Sequence, residues 1–303
     1  MLPGADVATK SKGRLYFPVH GWLGLILVAV FWILNWALPG MRTHWGFFPL
    51  WLGYCLAIDG VVFARTATSL LTRSQWKYVG LFLLSAPVWW LFEGLNLRTQ
   101  NWIYIGAEQF SSLEYVFWTT LSFTTVMPAV FGTAELVGST FIFRHNPKQI
   151  PNARGHGLVI RPDKPVTMGF FTLGWIMLIL LMVWPQVFFP FVWISVFFII
   201  EPVNIWLGNK SLTESTSQGD WRPIFALWLG VLMTAFFWEM WNYYSYPKWT
   251  YQVAWGDAFH LFEMPLLGYG GYLPFALELF ALYHLFVGWF GGQKSRYIVL
   301  PSN

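Results

Sequence analysis

Cysteine is almost missing from this chain of 303 residues. Cys55 stands alone inside an apolar stretch, so no disulfide framework forms within one chain and thiol redox chemistry is not expected. Charge is scarce as well: 11% of residues are charged against 56% hydrophobic, with 21 Trp and 29 Phe, which is too apolar for a soluble domain of this length. A phosphate-binding glycine loop, a paired-aspartate prenyl-diphosphate motif, a nucleophile elbow and a zinc-protease signature are all lacking. Gly268-Tyr269-Gly270-Gly271 reads as a helix break, not a phosphate loop. His260 would share a helix face with Glu263, and His284 follows, but metal or haem ligation needs more ligands, and Ser111 stands where His260 does in the first half. No cofactor is expected.

What the chain does hold is long apolar runs. Eight, at about 21–39, 47–64, 76–97, 112–139, 166–185, 188–207, 222–244 and 262–290, are long enough to cross the roughly 30 Å hydrocarbon layer as helices. The fold class is therefore all-α, a polytopic membrane protein. Basic residues precede the first run, but no small-residue cleavage site follows it, so it reads as a retained helix. Of the 18 Lys and Arg, one side of this topology carries Lys10, Lys12, Arg14, Arg65, Arg73, Lys77, Arg144, Lys148, Arg154, Arg161, Lys164, Lys210, Arg222, Lys294 and Arg296, and the other only Arg42, Arg98 and Lys248. Basic loops face the cytoplasm, so both termini are expected there, with the chain in a cell inner membrane. The net charge of +4 reflects that bias. No aromatic groove accompanies it, which argues against nucleic acid.

Against this background the acids matter. Asp59, Glu93, Glu114, Glu135, Glu201, Glu239, Glu263 and Glu278 lie in apolar stretches without a neighbouring lysine or arginine in the sequence, and a carboxylate in hydrocarbon costs several kcal/mol unless protonated or hydrogen-bonded. Several recur in a second copy, about 141 to 149 residues on. Glu93 and Asn96, then Trp102-Ile103-Tyr104, match Glu239 and Asn242, then Trp249-Thr250-Tyr251. Phe48-Pro49-Leu50-Trp51 with Asp59 matches Phe189-Pro190-Phe191-Val192-Trp193 with Glu201; Leu113-Glu114 matches Phe262-Glu263. The helix ending at Pro39 matches one ending at Pro185. The expected organisation is a cytoplasmic segment 1–20, a four-helix repeat 21–139, a basic linker 140–165, a second four-helix repeat 166–290 and a tail 291–303. An even helix count gives both repeats the same orientation, related by an axis along the membrane normal.

Glutamate and asparagine three apart share a helix face. Glu93, Glu239, Glu114 and Glu263 are then expected to converge near the non-cytoplasmic side, where desolvation and like charge favour the neutral acid, a proton donor at neutral pH. Asn96, Asn242, Trp102, Tyr104, Trp249 and Tyr251 would contact the substrate, their aromatic faces steadying a cation. Asp59 and Glu201 lie deeper and would mark a proton route. Glu135 and Glu278 read as structural.

These blocks resemble the lycopene cyclase domain family, membrane enzymes built as a duplicated helical unit: Glu93, Trp102, Tyr104 and Glu114-Tyr115-Val116-Phe117 look like the first copy, Glu239, Trp249, Tyr251 and Glu263 like the second. The resemblance covers roughly 45 residues of each half and implies cofactor-free, acid-catalysed cyclisation or isomerisation of an isoprenoid or carotenoid. Two readings of another class stand beside it: a proton- or cation-coupled transporter, and a pigment- or quinone-binding scaffold subunit within a membrane complex.

Overall fold

The computed structural model describes residues 16–38, 40–140 and 157–301. Pro39, the basic residues Lys10, Lys12, Arg14, Arg144, Lys148 and Arg154, and most of the 140–165 linker lie outside the described residues. Helices α1 (Val19–Ala37) and α2 (Phe47–Thr66), the one-turn α3 (Leu70–Arg73) and α4 (Gln75–Thr99) lead to a strand, β1 (Trp102–Ile105). Helices α5 (Ser112–Phe123) and α6 (Val126–Gly138) follow as one 27-residue span. The second part runs α7 (Lys164–Val183), α8 (Pro185–Phe188), α9 (Ser195–Trp206), the one-turn α10 (Thr213–Thr216), α11 (Arg222–Tyr243), β2 (Lys248–Tyr251), the hairpin β3 (His260–Leu261) and β4 (Met264–Pro265), and α12 (Tyr269–Trp289).

Seven helices are long and apolar enough to cross a membrane, or eight when the bent pair Pro185–Trp193 and Ser195–Trp206 counts as one span. That pair is the expected sixth segment, bent by 41°. Its break exposes the first N–H groups of α9, and a carboxyl oxygen of buried Glu278 accepts from Val196 N at 3.1 Å. Pro185 opens α8, so α7 ends at Val183, because the residue before a proline is forced out of the helical region. The last expected segment begins late for the same reason. Residues 260–265 form a hairpin instead of helix: Pro265 bars helical geometry at Met264, and Phe262 turns the chain at φ 60°.

Helix α1 packs on α2 and α7 on α9, while α6 meets α11 across the two parts of the chain. Glycine permits the closest approaches: a Cβ on Gly24 would lie 2.4 Å from Ala57 N, and one on Gly230 2.7 Å from the Ala134 Cα. Trp51, Phe92, Phe131, Trp241, Phe275 and Phe280 fill the interior. Trp51 of α2 packs on Trp238 of α11 at 5.3 Å, and Trp193, just before α9, stacks on Phe92 of α4 at 5.8 Å. At one end of the bundle β1 and β2 pair antiparallel, with Trp102 opposite Tyr251, Ile103 opposite Thr250 and Tyr104 opposite Trp249. Like residues thus exchange places across the ribbon.

Candidate functional site

Each strand of the ribbon is fixed by the asparagine of the helix before it. Asn96 donates from Nδ2 to the Trp102 carbonyl (2.8 Å), and its Oδ1 accepts from the backbone of Asn101 (2.8 Å) and Trp102 (3.4 Å). Asn242 does the same for Trp249, donating to its carbonyl at 2.7 Å and accepting from its N–H at 2.9 Å. The two amides, expected as substrate contacts, are therefore spent on backbone. They aim the Trp-x-Tyr strands back at the glutamates one turn earlier.

Glu93 Oε1 accepts from Trp89 Nε1 (2.9 Å), Trp102 Nε1 (3.1 Å) and the Tyr104 hydroxyl (2.5 Å). Fully buried Glu239 accepts at Oε1 from the Tyr251 and Tyr272 hydroxyls, both at 2.6 Å, and Trp249 Nε1 donates to the Tyr251 oxygen at 2.9 Å. Oε2 of Glu239 has no partner. All five side chains that donate to these carboxyls line a single cavity of about 510 Å³, while neither carboxyl lines it. The glutamates stand behind an aromatic wall whose indole N–H and phenol groups link them to the space inside. Burial first, and the adjacent glutamate next, push the Tyr104 and Tyr251 phenols well above the usual tyrosine range, so both stay protonated.

The other expected carboxyls do not join this pair. Glu114 is exposed at the start of α5, where its carboxylate and the Ser111 hydroxyl close a capping box: Oε2 accepts from Ser111 N (3.0 Å) and Oγ (2.7 Å). Glu263 sits at the hairpin tip, ion-paired with Lys248. Both sequence positions looked like helix starts near the ribbon, but one residue caps and the other meets a cation that the sequence places 15 residues away. Neither lines the cavity. Glu263 was expected to lack a neighbouring cation, and so was Glu135, which pairs with Arg73 and accepts from Val299 N at 2.8 Å.

Asp59 and Glu201 are engaged at the opposite end. Asp59 accepts from Ser69 Oγ (2.6 Å) and Leu71 N (3.0 Å), with His20 at 3.0 Å; Glu201 accepts from Thr213 N (2.8 Å) and Oγ1 (3.0 Å). Each carboxylate reaches a backbone N–H twelve residues on and holds the N-terminus of a one-turn helix, α3 or α10. These bonds give both acids a capping role; Glu201 Oε2 is buried without a partner. His260 lies in the hairpin beside Asp257 (3.0 Å), not on a helix face with Glu263, and His284 is buried in α12 with neither ring nitrogen hydrogen-bonded. Among the described residues no three His, Cys, Asp or Glu side chains cluster as a metal site.

The sequence did not mark Trp89, Tyr272, His44 or Asn101 as site residues, and it offered Trp193 only as a landmark of the repeat; all five line the cavity. Trp89 lies four residues before Glu93, the spacing of facing side chains on a helix, and was readable in principle. Tyr272 reaches Glu239 from 33 residues away, and nothing local announces it.

Helices long and apolar enough to cross a membrane surround an aromatic cavity, with two hydrogen-bonded carboxyls behind its wall. No protein-family model, curated protein or solved structure matches the chain.

Proposed function

We propose that the protein is an enzyme acting on an isoprenoid or related polyene lipid by proton-initiated carbocation chemistry. The observation that carries this reading is that every donor to Glu93 and to Glu239 faces one apolar cavity. Glu239, with one oxygen unmet, suits the role of proton source; protonated at Oε1, it donates to the Tyr251 or Tyr272 oxygen, reversing the resting bond, as that phenol turns and gives its own proton to an alkene carbon. The π pair forms the new C–H bond, a cation remains on the neighbouring carbon, and a proton lost from a carbon beside it returns through the same phenol to the Glu239 carboxylate, which restores a double bond and the acid. Glu93, with three donors, suits the ionised carboxylate that balances the cation, and the faces of Trp102, Trp193 and Trp249 add cation-π attraction. No cofactor enters this cycle.

The resemblance to the lycopene cyclase domain family points to the same chemistry. Two four-helix repeats of one ancestry, in one orientation, are supported by the matched asparagine clamps, the reciprocal ribbon register and the paired Asp59 and Glu201 caps. Among the described residues the ribbon end carries only Arg42, Arg98 and Lys248 of the lysines and arginines, and this basic-loop bias supports a cavity on the non-cytoplasmic side of a cell inner membrane, with both termini inside.

The test is the isoprenoid profile of cells or membranes carrying the wild-type chain, Glu239→Gln, Glu93→Gln or Tyr251→Phe. Removal of a general acid is expected to slow product formation by about 10²–10⁴-fold in Glu239→Gln. Identical profiles in all four, with the protein present in the membrane, overturn the reading.

A further inference from the structure

Among the described residues of the cavity wall, Asn101 is the one whose side chain carries a buried polar atom without a partner. It is only 5% exposed, and its backbone is complete: N–H to Asn96 Oδ1 at 2.8 Å, carbonyl accepting from Gln252 N at 2.7 Å. Its side-chain Nδ2 has no partner. The neighbouring Thr and Ser hydroxyls are used within the protein: Thr119 donates to the Tyr115 carbonyl (2.6 Å), Ser122 to the Trp118 carbonyl (2.8 Å) and Thr125 to the Ser122 carbonyl (2.8 Å). Lys248, which precedes Trp249 as Asn101 precedes Trp102, is taken by Glu263. The other end of the carboxamide, Oδ1, makes no hydrogen bond either and, unlike Nδ2, is not closed off, so Asn101 offers this apolar space a polar group that nothing in the protein meets.

A buried amide without a partner is disfavoured, and a hydrocarbon in the cavity would leave it so. We propose that the occupant of the cavity carries an oxygen function, a hydroxyl or a carbonyl, that hydrogen-bonds to Asn101; the substrate class is an oxygenated isoprenoid, not a pure hydrocarbon. The inference rests on the cavity being the substrate site, as proposed above. It adds a specificity determinant to a wall that is mostly aromatic and apolar.

The test is titration of the purified full-length protein with farnesol and with farnesene, an alcohol and a hydrocarbon of equal carbon number, followed by tryptophan emission. Farnesol is expected to bind about tenfold more tightly. In Asn101→Leu the preference is expected to vanish while farnesene affinity holds; the backbone bonds of residue 101 do not depend on its side chain. Equal affinities in the wild type, or an alcohol preference that survives in folded Asn101→Leu, overturn the inference, and the wild-type comparison decides alone if that variant does not fold. Equal binding of both probes leaves the acid chemistry standing, whereas binding of neither removes the cavity reading itself. Glu239→Gln is expected to keep the alcohol preference.

Discussion

Glu93 and Glu239 occupy matching positions, yet their surroundings separate them. Glu93 is half-buried under three donors, and Glu239 is fully buried under two phenols with its second oxygen unmet. Pairs of titratable groups held in unlike environments are how a single site divides proton donation from charge stabilisation. The phenols between them and the cavity allow a direct check. Because Tyr104 and Tyr251 have folded pKa values raised above the unfolded value of about 10, their contribution to stability is whole below that pH and is lost as pH rises above it. Unfolding midpoints are expected to be level with respect to these groups up to about pH 10 and to fall beyond it, and Tyr104→Phe with Tyr251→Phe is expected to flatten the fall. A decline of the same steepness in the double variant would remove the two phenols as its source. The acids themselves were readable from the sequence because charge in an apolar run is conspicuous. Their partners were not: Lys248 for Glu263 and Arg73 for Glu135 arrive through the fold, so an acid that looks uncompensated along the chain need not be so in space.

Among the elements, the one-turn helices α3 and α10 show a carboxylate doing quiet structural work. Asp59 and Glu201 hold these helices by their N-termini, where orphan N–H groups and the local dipole favour a negative charge. Asp59→Asn and Glu201→Gln are each expected to cost about 1 kcal/mol in chemical denaturation, as lost caps do, and to leave product formation within about twofold of wild type. Loss of turnover with an unchanged unfolding midpoint would return them to a proton path. Long helices were legible because apolar length alone decides them; the exceptions, Pro185 and the 260–265 hairpin, are places where a proline or a left-handed residue overrides hydropathy. Glu114 was misplaced by the same habit of reading acids as chemistry, when the Ser111-x-x-Glu114 spacing is that of a capping box.

For the whole molecule the question is whether the two parts of the chain move against each other. The ribbon joins them at the cavity, and Ile103 faces Thr250 across it. Directly opposed strand residues lie within reach of a disulfide, and the native Cys55 is buried and offers no competing thiol. Ile103→Cys with Thr250→Cys is expected to cross-link on oxidation and to leave product formation within about twofold, since the chemistry needs no rocking of the halves. A coupled transporter predicts the contrary, with activity lost on oxidation and restored by reductant, and a proton-gradient-dependent uptake assay would register it.

The ribbon also sets when the molecule can first work. Its strands are about 146 positions apart along the chain, so Tyr104 and its indole neighbours emerge from the ribosome long before the segment that pairs with them. Contacts of such separation form late. Until Trp249 to Tyr251 are made, the early strand holds an unpaired edge and the cavity lacks half its wall. The nascent chain therefore has no enclosed cavity for most of its own synthesis, and gains one only when the second strand and the wall residues up to Tyr272 have arrived.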